Sequence, residues 1–187
     1  MNYIDYYEFV TNRLKYESVT ELSYRIYQEV LELFDAANKN DWEELKLELG
    51  DIVFYTVALQ SFVSEIISYK DLNFNDLSYN DIYDSVYEKK QLITRYLFFY
   101  ISGLITFVYD ARDYEAKIKN AIVVNDSTDE NLQQLQLEQE NLYAGLNFYS
   151  TVLFELIHTI AVRIGSDISE ITELNIDKLI NRDKNGK

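Results

Sequence analysis

The chain has 187 residues, no cysteine, no proline, five glycines and a formal charge of −15 from 17 basic and 32 acidic side chains. Its length supports one domain with a substantial core, and the missing proline and scarce glycine favour long helices, so the expected fold class is all-α, an antiparallel bundle of about five to seven helices. The lack of cysteine excludes disulfides, thiolate metal sites and cysteine nucleophiles, and the acidity excludes direct nucleic-acid binding, which needs clustered Lys and Arg.

Residues 3–15 predict a short amphipathic helix with Tyr3, Tyr6, Tyr7, Phe9 and Val10 on its apolar side. The opening MNYIDYYEFV has no basic n-region and no cleavable apolar segment, which makes the cytoplasm the expected location. Ser18 or Thr20 can cap a second helix to about Ala37, with Leu22, Ile26, Leu33 and Phe34 inward. Asn38 to Asp41 form a short linker, which predicts that the flanking helices are antiparallel neighbours. Asp41 then caps a third helix, with Glu44 three residues on as in a capping box, and the pattern continues to about Ser68. A polar stretch over 70–80 carries turn chemistry.

A long helical pattern runs from about Asp81 to Lys119, with a bend expected near Gly103. Its apolar run Tyr96–Val108 is too short and interrupted to span a bilayer, so no membrane partner is expected. Asn125 to Asp129 form a loop, Asn131–Gln139 is polar and exposed, and Leu142–Ile164 is the last long apolar segment. Gly165-Ser166-Asp167 ends it, and Asp167 with Glu170 opens a terminal helix through Leu179.

Chemistry concentrates in RIYQEVLELFDAANKNDWEELKLELGDIVFYTVALQ, residues 25–60. Glu29 and Glu32 are three apart, as are Glu48 and Asp51, a spacing that places each pair on one helix face. Bulky apolar neighbours surround them, and a carboxylate beside a core calls for a cation. Folded back across the short linker, the four carboxylates can hold metal together. Near the C-terminus Lys178 and Arg182 are four apart on one face, suited to gripping neighbouring phosphates, although cations in a last turn also complement the helix dipole. Tyr24, Trp42 and Phe54 stand near enough in sequence to stack on a base, with core packing the commoner role for each. Glu155-x-x-His158 does not make a di-iron site, because one histidine cannot supply two such pairs, and His158 reads as a hydrogen-bonded histidine in an apolar helix.

The two acidic pairs, the fifteen-residue gap Leu33–Leu47 and the ELGD followed by aromatic and aliphatic residues resemble the MazG-like branch of the all-α nucleoside triphosphate pyrophosphohydrolases. The closing NIDKLINR, with Asn175, Lys178 and Arg182, is similar to that family's closing segment. The resemblance implies hydrolysis of a (d)NTP to (d)NMP and diphosphate, with Mg²⁺, or Mn²⁺ in its place, held by Glu29, Glu32, Glu48 and Asp51, and with Lys178, Arg182 and Asn175 on the phosphates. It also implies a single domain over 1–187, with a MazG-like core at about 18–68 and 140–182 and a helical insertion at about 70–139.

In compact members the closing segment follows the Glu-x-x-Asp helix directly, whereas here over a hundred residues intervene. Phe148 to Val152 weakly echo Phe54 to Val57, as in a worn duplication, and the matching positions 142 and 145 are Leu and Gly rather than carboxylates. The second half would then complete the bundle as the partner subunit does in dimeric relatives, which keeps a homodimer and a dimeric-type dUTPase or dCTPase as alternatives. A further alternative is a non-catalytic acidic helical protein with a degenerate motif that binds a macromolecule.

Overall fold

In the computed structural model, which describes residues 3–14, 18–63, 90–124 and 129–184, the regular structure is six α-helices. These are α1 (Tyr3–Arg13), α2 (Val19–Lys39), α3 (Trp42–Gln60), α4 (Lys90–Val124), α5 (Asp129–Arg163) and α6 (Ile168–Lys184). The centre is α3. From Leu45 to Gln60 its buried residues run round the whole circumference, and a helix apolar on every side is stable only when surrounded. It packs on α2, α6, α1, α5 and α4. The all-α bundle expected from composition is the fold observed.

The helix starts follow the local chemistry. Ser18 Oγ accepts the Glu21 N–H, Asp41 Oδ1 the Glu44 N–H and Asp167 Oδ1 the Glu170 N–H, so each cap satisfies a donor that the helix itself leaves open. Thr20, the other candidate cap, instead pairs its hydroxyl with that of Tyr109 on α4. Between α2 and α3, Asn40 adopts the left-handed conformation (φ 56°), which Asn tolerates better than most residues, and its N–H caps Ala36 and Ala37. The reversal takes only Asn40 and Asp41, so α2 returns as α3 with their faces in contact.

Several expected boundaries move. The third helix ends at Gln60, short of Ser68, because Phe62 and Val63 N–H groups turn back to Leu59 and Gln60 carbonyls and Ser61 Oγ bonds the Ala58 carbonyl. The turn chemistry expected at 70–80 and the start expected at Asp81 lie outside the described residues. Asn131–Gln139 and Leu142–Ile164 are one continuous helix, α5, and α6 runs past Leu179 to Lys184. Asn131–Arg163 is long enough to cross a membrane and holds an 18-residue stretch apolar enough by composition; half of that stretch is buried inside the bundle, where a core helix needs the same composition. His158 is half-buried on this helix with a buried Nδ1 that has no hydrogen-bond partner among the described residues, contrary to the expected bonded histidine, and burial lowers its pKa.

Leu97, Ile101, Leu104, Val108 and Ala111 form the buried stripe of α4 at helical spacing. Gly103 marks no break in that helix. Instead a Cβ there would lie 2.0 Å from the Tyr149 ring of α5, and a Cβ on Gly145 of α5 would lie 2.2 Å from the Phe107 ring of α4. Each helix therefore lays an aromatic ring over the other's glycine, and the two rings meet at 5.4 Å. Beyond this lock, no described residue between Ala111 and Tyr143 is buried, so the end of the α4–α5 hairpin stands clear of the core.

In an exposed helix Gly→Ala gains about 1 kcal/mol from propensity. At Gly103 the 2.0 Å contact opposes that gain. The expected outcome of Gly103→Ala is a net loss of about 1–3 kcal/mol in urea unfolding, as for overpacking. In a Tyr149→Ala background the same substitution should become neutral or stabilising.

Candidate active site

The site forms where α2, α3 and α6 meet. Glu29 lies on the face of α2 turned to α3, and Glu48 and Asp51 are one turn apart on the side of α3 facing α2 and α6. One carboxylate oxygen from each of Glu29, Glu48 and Asp51 lies within 4.8 Å of the others, so the three could hold a metal ion. Glu32 is exposed and falls outside this close group, although its charge reaches Glu29. Three of the four expected carboxylates are thus brought together across the short linker.

Glu48 is only 2 % exposed. Its Oε2 is buried with no hydrogen-bond partner among the described residues. Burial foremost, then the hydrogen bond with Glu29, pushes its pKa up to about 9 from 4.5. The Glu29 pKa is also raised, again mainly by burial, with the Asp51 and Glu32 charges adding and the bond to Glu48 and the Lys178 charge working against. Two carboxyls this close share one proton, because ionising both without a cation would place like charges side by side in a poorly solvated site.

Asp51 is held from the other side by α6. Asn175 Nδ2 donates to its Oδ1 at 2.6 Å, and Lys178 Nζ to its Oδ2 at 2.5 Å. Burial works against the Lys178 charge, but the bond to Asp51 and the nearby carboxylates carry its pKa above the usual value. Asn175 is fully buried, and its Oδ1 accepts the Tyr6 hydroxyl at 2.9 Å, which fixes the amide so that its nitrogen faces Asp51. Its amide thus links Tyr6 of α1 to Asp51 of α3. Burial, and then the Asp51 charge, raises the Tyr6 pKa well above its ordinary value.

The close approach of α6 depends on Gly50, the glycine of ELGD. A Cβ there would meet the Asn175 Cβ at 3.0 Å and the Ile171 carbonyl oxygen at 3.1 Å. Lys46 adds a partly exposed pair to Glu170 at 3.5 Å.

Beside the carboxylates opens a cavity of about 110 Å³. Glu29 and Asp51 form one side of it, Phe54 and Tyr55 of α3 another, and Leu179, Arg182 and Asp183 of α6 close it with Arg13 of α1. Arg182 and Phe54 both line it, whereas Tyr24 and Trp42 are exposed and do not. Arg13 was not among the expected site residues. The available signal was its position: Tyr6, Val10 and Arg13 fall at helical spacing, so the arginine continues the buried stripe of α1.

Residues 17–91 match the family model of the MazG nucleotide pyrophosphohydrolase domain. That segment is MazG-like. It contains both acidic pairs and the glycine on which α6 rests, and α1 and α6 lie outside it. No curated protein and no solved structure matches the chain.

Because Glu48 holds its proton more tightly folded than unfolded, the folded state binds the extra proton between about pH 4.5 and 9, and stability must fall as pH rises through that window. Thermal melts in chelator should show this decline. Glu48→Gln should flatten it and melt higher than the parent chain at the alkaline end.

Proposed function

We propose that the chain is a Mg²⁺-dependent pyrophosphohydrolase that converts a nucleoside triphosphate to the monophosphate and diphosphate. The observation that carries this reading is the buried, unpartnered Glu48 Oε2 converging with Glu29 and Asp51 inside the MazG-like segment. A buried carboxylate oxygen without a donor is destabilising unless a cation takes that place, and an all-oxygen donor set suits a hard divalent ion such as Mg²⁺ or Mn²⁺.

When bound, Mg²⁺ supplies neutralisation of the phosphate charge and acidification of the attacking water. The protein's own groups do the rest. Glu29, Glu48 and Asp51 hold the ion, and Asn175, itself aligned by Tyr6, keeps Asp51 in register. Lys178 offsets the negative cluster and is available to the substrate's phosphates, as is Arg182 from the cavity wall. Glu32, outside the close group, is the carboxylate free to accept the proton of the attacking water. Phe54 and Tyr55 give the cavity an aromatic side for the nucleoside.

A panel of nucleotides assayed for diphosphate release with and without Mg²⁺ tests the reading directly. Turnover should require the metal and produce monophosphate. Glu48→Gln should abolish it with helical circular dichroism intact, and Lys178→Ala should raise KM about tenfold or more, the worth of a charge-assisted hydrogen bond of about 1.5–3 kcal/mol. Full turnover by Glu48→Gln would remove the proposed metal site.

A further inference from the structure

We propose that Arg13 is a phosphate-binding residue of this pocket and that Asp183 is an internal anion holding its place, to be displaced when a polyphosphate enters. This rests on the reading above only in taking a nucleoside triphosphate as the natural ligand. The cavity has an acidic side, Glu29 and Asp51, and opposite signs supplied by two guanidinium groups, Arg13 and Arg182. A volume of about 110 Å³ is several times the roughly 30 Å³ share of one water, room for phosphoryl groups beside a cation.

Arg13 is built for such a ligand. Its guanidinium lies 4.0 Å over the Phe9 ring, which orients the plane without using its N–H donors. Its Nε is buried and makes no hydrogen bond among the described residues, its nearest anion lying too long for one. The anion it faces is Asp183, at 3.5 Å, in a pair whose side chains are 33 % and 51 % exposed. A pair that long and that open to solvent contributes little and is easily exchanged. A phosphate, with more charge and more acceptor oxygens, fits the guanidinium fork better than this carboxylate does.

The helix that carries Arg13 is tied to the acidic cluster. The Tyr6 hydroxyl reaches Asn175, which holds Asp51, and the Tyr3 hydroxyl donates to Gln60 at the end of α3 at 2.5 Å. These bonds fix α1 along the bundle, so the arginine in its last turn is presented to the pocket at a set position. Because α1 precedes the MazG-like segment, the family match assigns it no role.

Calorimetric titration of the full chain with inorganic pyrophosphate in Mg²⁺ buffer tests this, with Mn²⁺ binding followed separately by electron paramagnetic resonance. Arg13→Ala should weaken pyrophosphate binding at least tenfold, Arg13→Lys should recover part of the loss, and Asp183→Asn should tighten binding severalfold. None should change Mn²⁺ affinity by more than about twofold. If the Arg13–Asp183 pair were only a structural clasp, both Arg13→Ala and Asp183→Asn would weaken binding or neither would alter it, and either result overturns the proposal. Pyrophosphate binding with these opposite shifts but no turnover of any nucleotide would reject the reaction and keep the assignment. Nucleotide turnover with unchanged pyrophosphate binding by Arg13→Ala would do the reverse.

Discussion

A carboxylate inside the most buried helix of the bundle constrains everything around it. Glu48 lies on α3, which other helices enclose, and its side chain is almost wholly removed from solvent. Its charge must be removed by a proton, as the pKa of about 9 expresses, or compensated by a cation. Glu29, Asp51 and Lys178 are the groups through which that choice is made. A divalent ion could take the proton's place, because the same burial that destabilises the charged form favours a cation beside these carboxylates.

The neighbours of this cluster are arranged by close packing as much as by charge. Gly50 lets α6 come near enough for Asn175 and Lys178 to reach Asp51, and the Tyr6 hydroxyl then orients the Asn175 amide. Residues from the beginning, middle and end of the chain thus join one hydrogen-bonded line, from α1 through α6 to α3. A shift of α6 by even part of a side-chain diameter would break it, which is why the glycine of ELGD belongs to the site although it has no functional group.

The α4–α5 hairpin serves the site indirectly. Its inner half covers α2 and α3, and its reciprocal contacts of Tyr149 on Gly103 and Phe107 on Gly145 set how closely the two helices approach. Leu142 and Gly145, the positions that a duplicated motif would fill with carboxylates, carry no ligand atoms, and Gly145 is itself part of this packing. The hairpin therefore packs against α3 and adds no carboxylate to the Glu29, Glu48 and Asp51 group.

Much of this was legible in the residues themselves. The lack of proline, the helical spacing of apolar side chains and the caps Ser18, Asp41 and Asp167 define helices through local physics, and the two-residue reversal at Asn40 and Asp41 makes α2 and α3 neighbours whatever surrounds them. The acidic spacing on those neighbours then places Glu29 opposite Glu48 and Asp51. Other features were masked by the apolar pattern or depended on contacts distant in sequence. The end of α3 at Gln60 arises from a local turn hidden within a continuing apolar pattern, and Gly103 resembles a breaker until the Tyr149 ring is seen to occupy its missing side chain. That Glu32 lies outside the close group, that Asn175 serves Asp51, and that Arg13 faces the pocket follow from the approach of α1 and α6 to α3. Periodicity along one helix states which residues share a face; which partner that face meets, and how closely, is decided only when all the helices pack against one another.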